Sequence, residues 1–96
     1  MEKENFKIEK KKQTGEFEFI IEKRLLVLSI TDGWSKELNL VGWNGNRAKF
    51  DIRDWNSTHE RMKRGVTLKK EELKVILENA DMVLKLIEKM EKDKII

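Results

Sequence analysis

Lys49-Phe50-Asp51-Ile52-Arg53-Asp54-Trp55 is the stretch from which the fold is read. Phe50 and Ile52 alternate with Lys49, Asp51, Arg53 and Trp55, the period-two signature of a strand with two unlike faces. Including Arg47 and Ala48, a strand is predicted over Arg47 to Trp55. Immediately upstream, Asn44-Gly45 is a strong hairpin signal, since both residues tolerate positive φ. Before it, Glu37 to Trp43 reads as a partner strand, with Leu38 and Leu40 on one face and Asn39, Val41 and Trp43 on the other. Thr31-Asp32-Gly33 supplies another turn. Ahead of that turn, Leu25 to Ile30 is a nearly continuous apolar strand, and Phe17, Phe19 and Ile21 mark a strand from Gly15 onward. Lys23-Arg24 marks a bend or bulge between these two.

Downstream, Asn56 to Arg64 is polar and turn-rich, Gly65 closes it, and Val66-Thr67-Leu68 leads into a helix. Glu71 and Glu72 in its first turn complement the helix dipole. Leu73, Ile76, Leu77, Ala80, Val83, Leu84, Ile87 and Met90 recur at three- and four-residue spacing, which predicts an amphipathic helix of five to six turns. Val75, Met82 and Leu86 form a second apolar line. With no proline in the chain, the helix is expected to run uninterrupted. So much apolar surface beside a small sheet predicts two contacts, one to its own sheet and one to a partner chain. The sum is an α+β fold: a four-stranded antiparallel sheet followed by one long C-terminal helix. Residues 1–14, ending in Lys10-Lys11-Lys12, bury too little to offset their ordering entropy and are expected to be a mobile basic arm, leaving residues 15–96 as the domain.

Composition narrows the function. Ninety-six residues make one domain. Without Cys there are no disulfides, no thiol catalysis and no thiolate metal site, and one His, His59, rules out a His-rich zinc site. Charged residues make up 41% of the chain, yet the net charge is only +3. The excess is spread thinly, so only local placement matters. No apolar run approaches the ~20 residues of a membrane helix, and a soluble, cytoplasmic protein is expected. No carboxylate pair, phosphate loop or nucleophile elbow is recognisable, His59 falls in a polar loop and is expected to be exposed and chemically idle, and neither an enzyme nor a cofactor is expected.

The three tryptophans stand out. Trp34, Trp43 and Trp55 fall at strand ends or in loops. If Leu40, Phe50 and Ile52 pack under the helix, Trp43 and Trp55 lie on the opposite, open face. Bases stack on such rings while Lys and Arg track phosphates. Lys49 and Arg53 share the face of Trp55, Lys36 is two residues from Trp34, and Arg61, Lys63 and Arg64 cluster in the following loop. The competing reading is that the indoles close a small core or fill a dimer interface.

The block Lys49 to Trp55, followed by Glu60-Arg61-Met62-Lys63-Arg64-Gly65-Val66-Thr67-Leu68 and Glu71-Glu72-Leu73, resembles the transcriptional positive cofactor four (coactivator p15) family. Leu26 to Ser29, Gly33 to Asn39 and Val41 to Asn44 are similar to its bacterial YdbC-like branch. The resemblance spans roughly residues 15–87. It implies a curved four-stranded sheet with one long helix, a homodimer through the helices, and binding of single-stranded DNA with little sequence preference. By position it implies Trp43 and Trp55 as base-stacking aromatics, Arg53, Lys63 and Arg64 as basic contacts, and Trp34 and Lys36 as part of an extended loop. Asn44 and Asn46 stand where the family carries basic residues, so Arg47 and Lys49 are expected to supply that charge. Val75, Leu77, Met82, Leu84 and Leu86 are the expected dimer contacts.

The expectation is therefore a non-catalytic, homodimeric single-strand binder acting in transcription regulation or DNA maintenance, with transcription or replication proteins as further partners. RNA as the bound strand, or a cofactor that chiefly recruits protein, are the alternatives.

Overall fold

The computed structural model describes residues 8–11, as backbone, and residues 18–96. Five antiparallel strands follow in sequence order: β1 (Ile8–Lys11), β2 (Glu18–Thr31), β3 (Trp34–Trp43), β4 (Lys49–Trp55) and β5 (Met62–Leu68). Two helical segments complete the chain, α1 (Lys70–Glu78) and α2 (Ala80–Lys92). The α+β class is as expected, but the strand inventory differs. The two strands anticipated before Asp32 are one 14-residue strand. The stretch anticipated as a loop up to Arg64 ends earlier, and Met62–Leu68 pairs with β4. Within the anticipated arm, Ile8–Lys11 pairs with β2, Ile8 opposite Ile21 and Lys11 opposite Glu18; the rest of that segment lies outside the described residues.

The turns obey local chemistry. Asp32 (φ 52°) and Gly33 (φ 81°) form the two-residue loop between β2 and β3, both in the left-handed region that this hairpin requires. Asn44 (φ 51°) and Gly45 (φ 77°) repeat the device after β3. Asn44 also fastens the entry of β2: its N–H donates to Glu18 O at 2.8 Å, and its Oδ1 accepts from Glu18 N at 2.9 Å.

β2 is bulged three times against β3, skipping one residue between Ile21 and Lys23, between Arg24 and Leu26, and between Val27 and Ser29. Each bulge bends the strand and increases its twist. The sheet consequently curls. Phe19 lies opposite Trp43, and Trp55 opposite Ser35. Those two β3 positions are eight residues apart, about 26 Å along a flat strand at ~3.3 Å per residue. Yet the Phe19 and Trp55 ring centroids are 5.2 Å apart. The inner face of the curl holds the core: Phe19, Ile21, Val41 and Trp55, with Trp43 and Met62 against it.

This inverts the expected faces. Leu38, Leu40, Phe50 and Ile52, anticipated as the buried side, are only half-buried, while the face of Asn39, Val41, Asp51 and Trp55 is closed. The sheet buries its inner face by curling on itself, whereas the helices cover little of the outer one. α1 reaches β4 and β5, and α2 approaches no strand.

The helix is also broken where continuity was expected. At Asn79 (φ −111°, ψ 18°) the amide side chain donates to Val75 O at 2.7 Å, and the backbone N–H turns to Ile76 O at 3.1 Å. A short polar side chain that competes for helical carbonyls explains the interruption without proline. At the start of α1, Glu72 accepts from the Lys69 N–H at 2.8 Å and so caps it.

Because Trp55 is fully buried against Phe19, Trp55→Ala is expected to lower unfolding free energy by about 3–5 kcal/mol in urea titration. A change below about 1 kcal/mol would place the ring outside the core.

Candidate nucleic-acid interface

Two polar clusters lie on the closed face. In the first, Glu37 is 2% exposed, and its carboxylate accepts from Asn39 Nδ2 at 2.9 Å and faces His59 Nε2 at 3.0 and 3.1 Å. A ring nitrogen shared between two carboxylate oxygens must carry the proton, so Nε2–H donates. Asn39 Oδ1 in turn accepts from the Leu25 N–H at 3.1 Å, and Leu25 is the residue skipped at the second bulge. The cluster thereby holds the bend of β2. His59, expected to be exposed and idle, is buried, with φ at 60° and its ring stacked 5.7 Å from that of Trp55. No periodicity flagged it, because its loop folds back over the end of the core.

Burial pushes the Glu37 carboxyl up, but hydrogen bonds from Asn39, Ser35 and His59, with the charge of His59, outweigh it and hold the group below its ordinary value of 4.5.

In the second cluster Asp51, fully buried, grips Arg53: Nε donates to Oδ1 at 2.7 Å and Nη2 to Oδ2 at 2.8 Å. Thr67 Oγ1 donates to Oδ2 at 3.2 Å. Arg53 Nη1 donates to Lys63 O at 3.3 Å and meets Met62 Sδ at 3.7 Å. The guanidinium lies 4.7 Å from the centroid of the Trp43 ring. Gly65 is opposite Arg53 in the β4–β5 register, and a Cβ there would stand 2.3 Å from Arg53 Cβ and from Ile52 O. Only a residue without a side chain admits this approach.

The other candidates sort by position. Trp34 opens β3, half-buried, with the Lys63 ammonium 4.5 Å from its ring centroid. By strand alternation Trp34 and Lys36 belong to the outer face, and Trp43, Lys49 and Arg53 to the inner one. Lys63 bridges the two groups: its carbonyl accepts from Arg53 while its ammonium covers Trp34. Lys36, Arg47, Lys49, Lys63 and Arg64 are exposed, Lys63 and Arg64 on strand β5 and not in a loop. Trp55 is a correction. Expected to stack on bases, it is 0% exposed and offers no face to a ligand, because the curl folds it inward against Phe19. Among the described residues no group of side chains is arranged to hold a metal ion, and no helix is long and apolar enough to cross a membrane.

Residues 30–79 match the model of the family described as transcriptional coactivator p15 (PC4). The chain belongs to this family. Its members bind nucleic acid and act as transcriptional coactivators. The matched segment runs from the end of β2 through α1 and includes Trp34, Trp43, both polar clusters and Gly65. The chain is also similar to an uncharacterized protein of Treponema pallidum (strain Nichols), 45% identical over 42 residues, or 44% of this chain and 49% of that protein. It thus spans about half the length of the curated relative it matches.

Two outcomes check this geometry. Folding lowers the Glu37 pKa, so the stability it contributes is complete above its unfolded value of 4.5 and is lost as pH falls through the folded value. Urea midpoints should therefore drop more between about pH 6 and pH 3 in the wild type than in Glu37→Gln; equal drops would deny Glu37 this role. Gly65→Ala should cost about 1–3 kcal/mol, by overpacking against Arg53; an unchanged urea midpoint would contradict the close approach.

Proposed function

We propose that this protein is a homodimeric, non-catalytic binder of single-stranded DNA with little sequence preference, acting in the cytoplasm in transcription regulation or DNA maintenance. One observation carries the reading. Two half-buried indoles, Trp43 and Trp34, lie beneath the cations of Arg53 and Lys63 at 4.7 and 4.5 Å, and the two pairs are joined by the Arg53–Lys63 hydrogen bond. Membership of a nucleic-acid-binding family supports it. Aromatic faces with exposed lysines and arginines around them suit a ligand with π-faces and phosphates. A duplex hides its base faces in the stack, whereas an unpaired strand presents them. Lys36, Arg47, Lys49, Lys63 and Arg64 are exposed to neutralise phosphates, so affinity falls with salt.

The dimer is supported by surface that one chain leaves open. Val75, Leu77, Met82, Leu84 and Leu86 are between 54% and 62% exposed, and α2 rests on no strand. Leu25 to Leu28, Ile30 and Val66 add exposed apolar area on the strands. A patch of this extent calls for a partner, and a second copy of the helix is the partner that the family resemblance implies. Pairing two binding surfaces raises avidity.

Trp43→Ala should weaken binding of a fluorescein-labelled oligo-dT by about 1–3 kcal/mol in anisotropy titrations, with Trp34→Ala in the same range. No loss in either variant, with the fold intact by circular dichroism, rejects stacking. Sedimentation equilibrium should give twice the chain mass for the wild type and a lighter species for Leu84→Glu/Leu86→Glu; a monomeric wild type rejects the dimer.

A further inference from the structure

Resting on the single-strand reading above, we infer that Asp51 is a positioning residue that fixes Arg53 as a charge-neutral plate over Trp43, so that Arg53 shapes the stacking site for an unpaired base without neutralising phosphate. Every nitrogen of the guanidinium is engaged: Nε and Nη2 by the two Asp51 oxygens, Nη1 by Lys63 O and Met62 Sδ. The fork-on-fork geometry is the strongest form of such a pair. Asp51 is completely buried and also receives Thr67, while the Arg53 side chain is 15% exposed. Taking Arg53 away from Asp51 would strand a carboxylate in the core, a cost that an exposed phosphate does not offset. Gly65 leaves room for the Arg53 Cβ, with which a side chain at position 65 would collide. The pair sums to zero charge, so it displaces no counterions from a bound strand. What remains is geometric: the guanidinium lies 4.7 Å from the Trp43 ring centroid and the Phe19 ring centroid 5.9 Å from it, so a fixed Arg53 sets how much of the half-buried indole a base can reach. Lys63 makes the contrast, since its ammonium over Trp34 belongs to an exposed side chain for which no fixing carboxylate is seen among the described contacts.

Oligo-dT titrations across a salt series test this. Lys49→Gln removes an exposed cation and should flatten the dependence of log affinity on log salt by about 0.7. The charge-conserving double variant Asp51→Asn/Arg53→Gln should leave the slope unchanged while lowering affinity about three- to tenfold. The Trp43 indole N–H resonance of the free double variant should shift. A slope that flattens as in Lys49→Gln, or an unaltered affinity, overturns the inference. Should the double variant fail to fold, the wild type still decides: its Arg53 Nε–H should keep its slow exchange on saturation with oligo-dT, and faster exchange overturns the inference. Absence of oligo-dT binding by the wild type sinks the single-strand reading itself, and the inference with it.

Discussion

The packing of Phe19 on Trp55, 5.2 Å between ring centres, is the contact on which the remaining architecture depends. It joins residues that pair near opposite ends of β3. Only a sheet that curls can bring them together. The curl is produced by three bulges in β2, and the second is held by a hydrogen bond from Leu25 to the buried Asn39. Sequence, register and core are thus one problem: the residues that bend the strand also line the space enclosed by the bend.

Closing that face has a consequence for charge. Alternation puts Glu37, Asn39, Asp51 and Arg53 beside Val41 and Trp55, so acids are enclosed with the hydrophobic core. They remain there because each carboxylate is answered, Asp51 by Arg53 and Thr67, Glu37 by Asn39 and His59. Breaking either pair leaves a buried charge, which costs several kcal/mol, and so these pairs fix side-chain positions more firmly than apolar packing alone. The same fixing aligns Arg53 over Trp43. The opposite face has no such closure. Its half-buried leucines and the exposed helix lines are surface that a single chain leaves uncovered.

Much of this was legible in the sequence. Alternation in Lys49 to Trp55, the Asp32-Gly33 and Asn44-Gly45 turns and the apolar helix spacing each follow from local geometry, and the motif order from residue 49 to 73 pointed to the family. The unread part is non-local. Alternation divides a strand into two faces but does not say which will close, and that choice was made by bulges whose stabilising partner, Asn39, lies 14 residues from Leu25. For the same reason Trp55 looked like a base platform and proved to be core. His59 lacked any pattern because its burial depends on a loop returning over the curled end. Asn79 was the one local signal passed over: a short amide inside a helix competes for carbonyls. Of the candidate site, Trp34, Trp43 and the exposed lysines keep positions suited to a polyanion with aromatic faces, whereas Arg53 is already committed to Asp51.

The indoles can serve recognition only where the curl leaves them half-open. Tryptophan fluorescence, titrated with a single-stranded oligonucleotide and separately with its blunt duplex of equal length at one salt concentration, tests this most directly. Strong quenching and tighter binding are expected for the single strand. Equal or stronger quenching by the duplex would contradict it, because the charge on the two is at least as favourable in the duplex and only the hidden base faces differ.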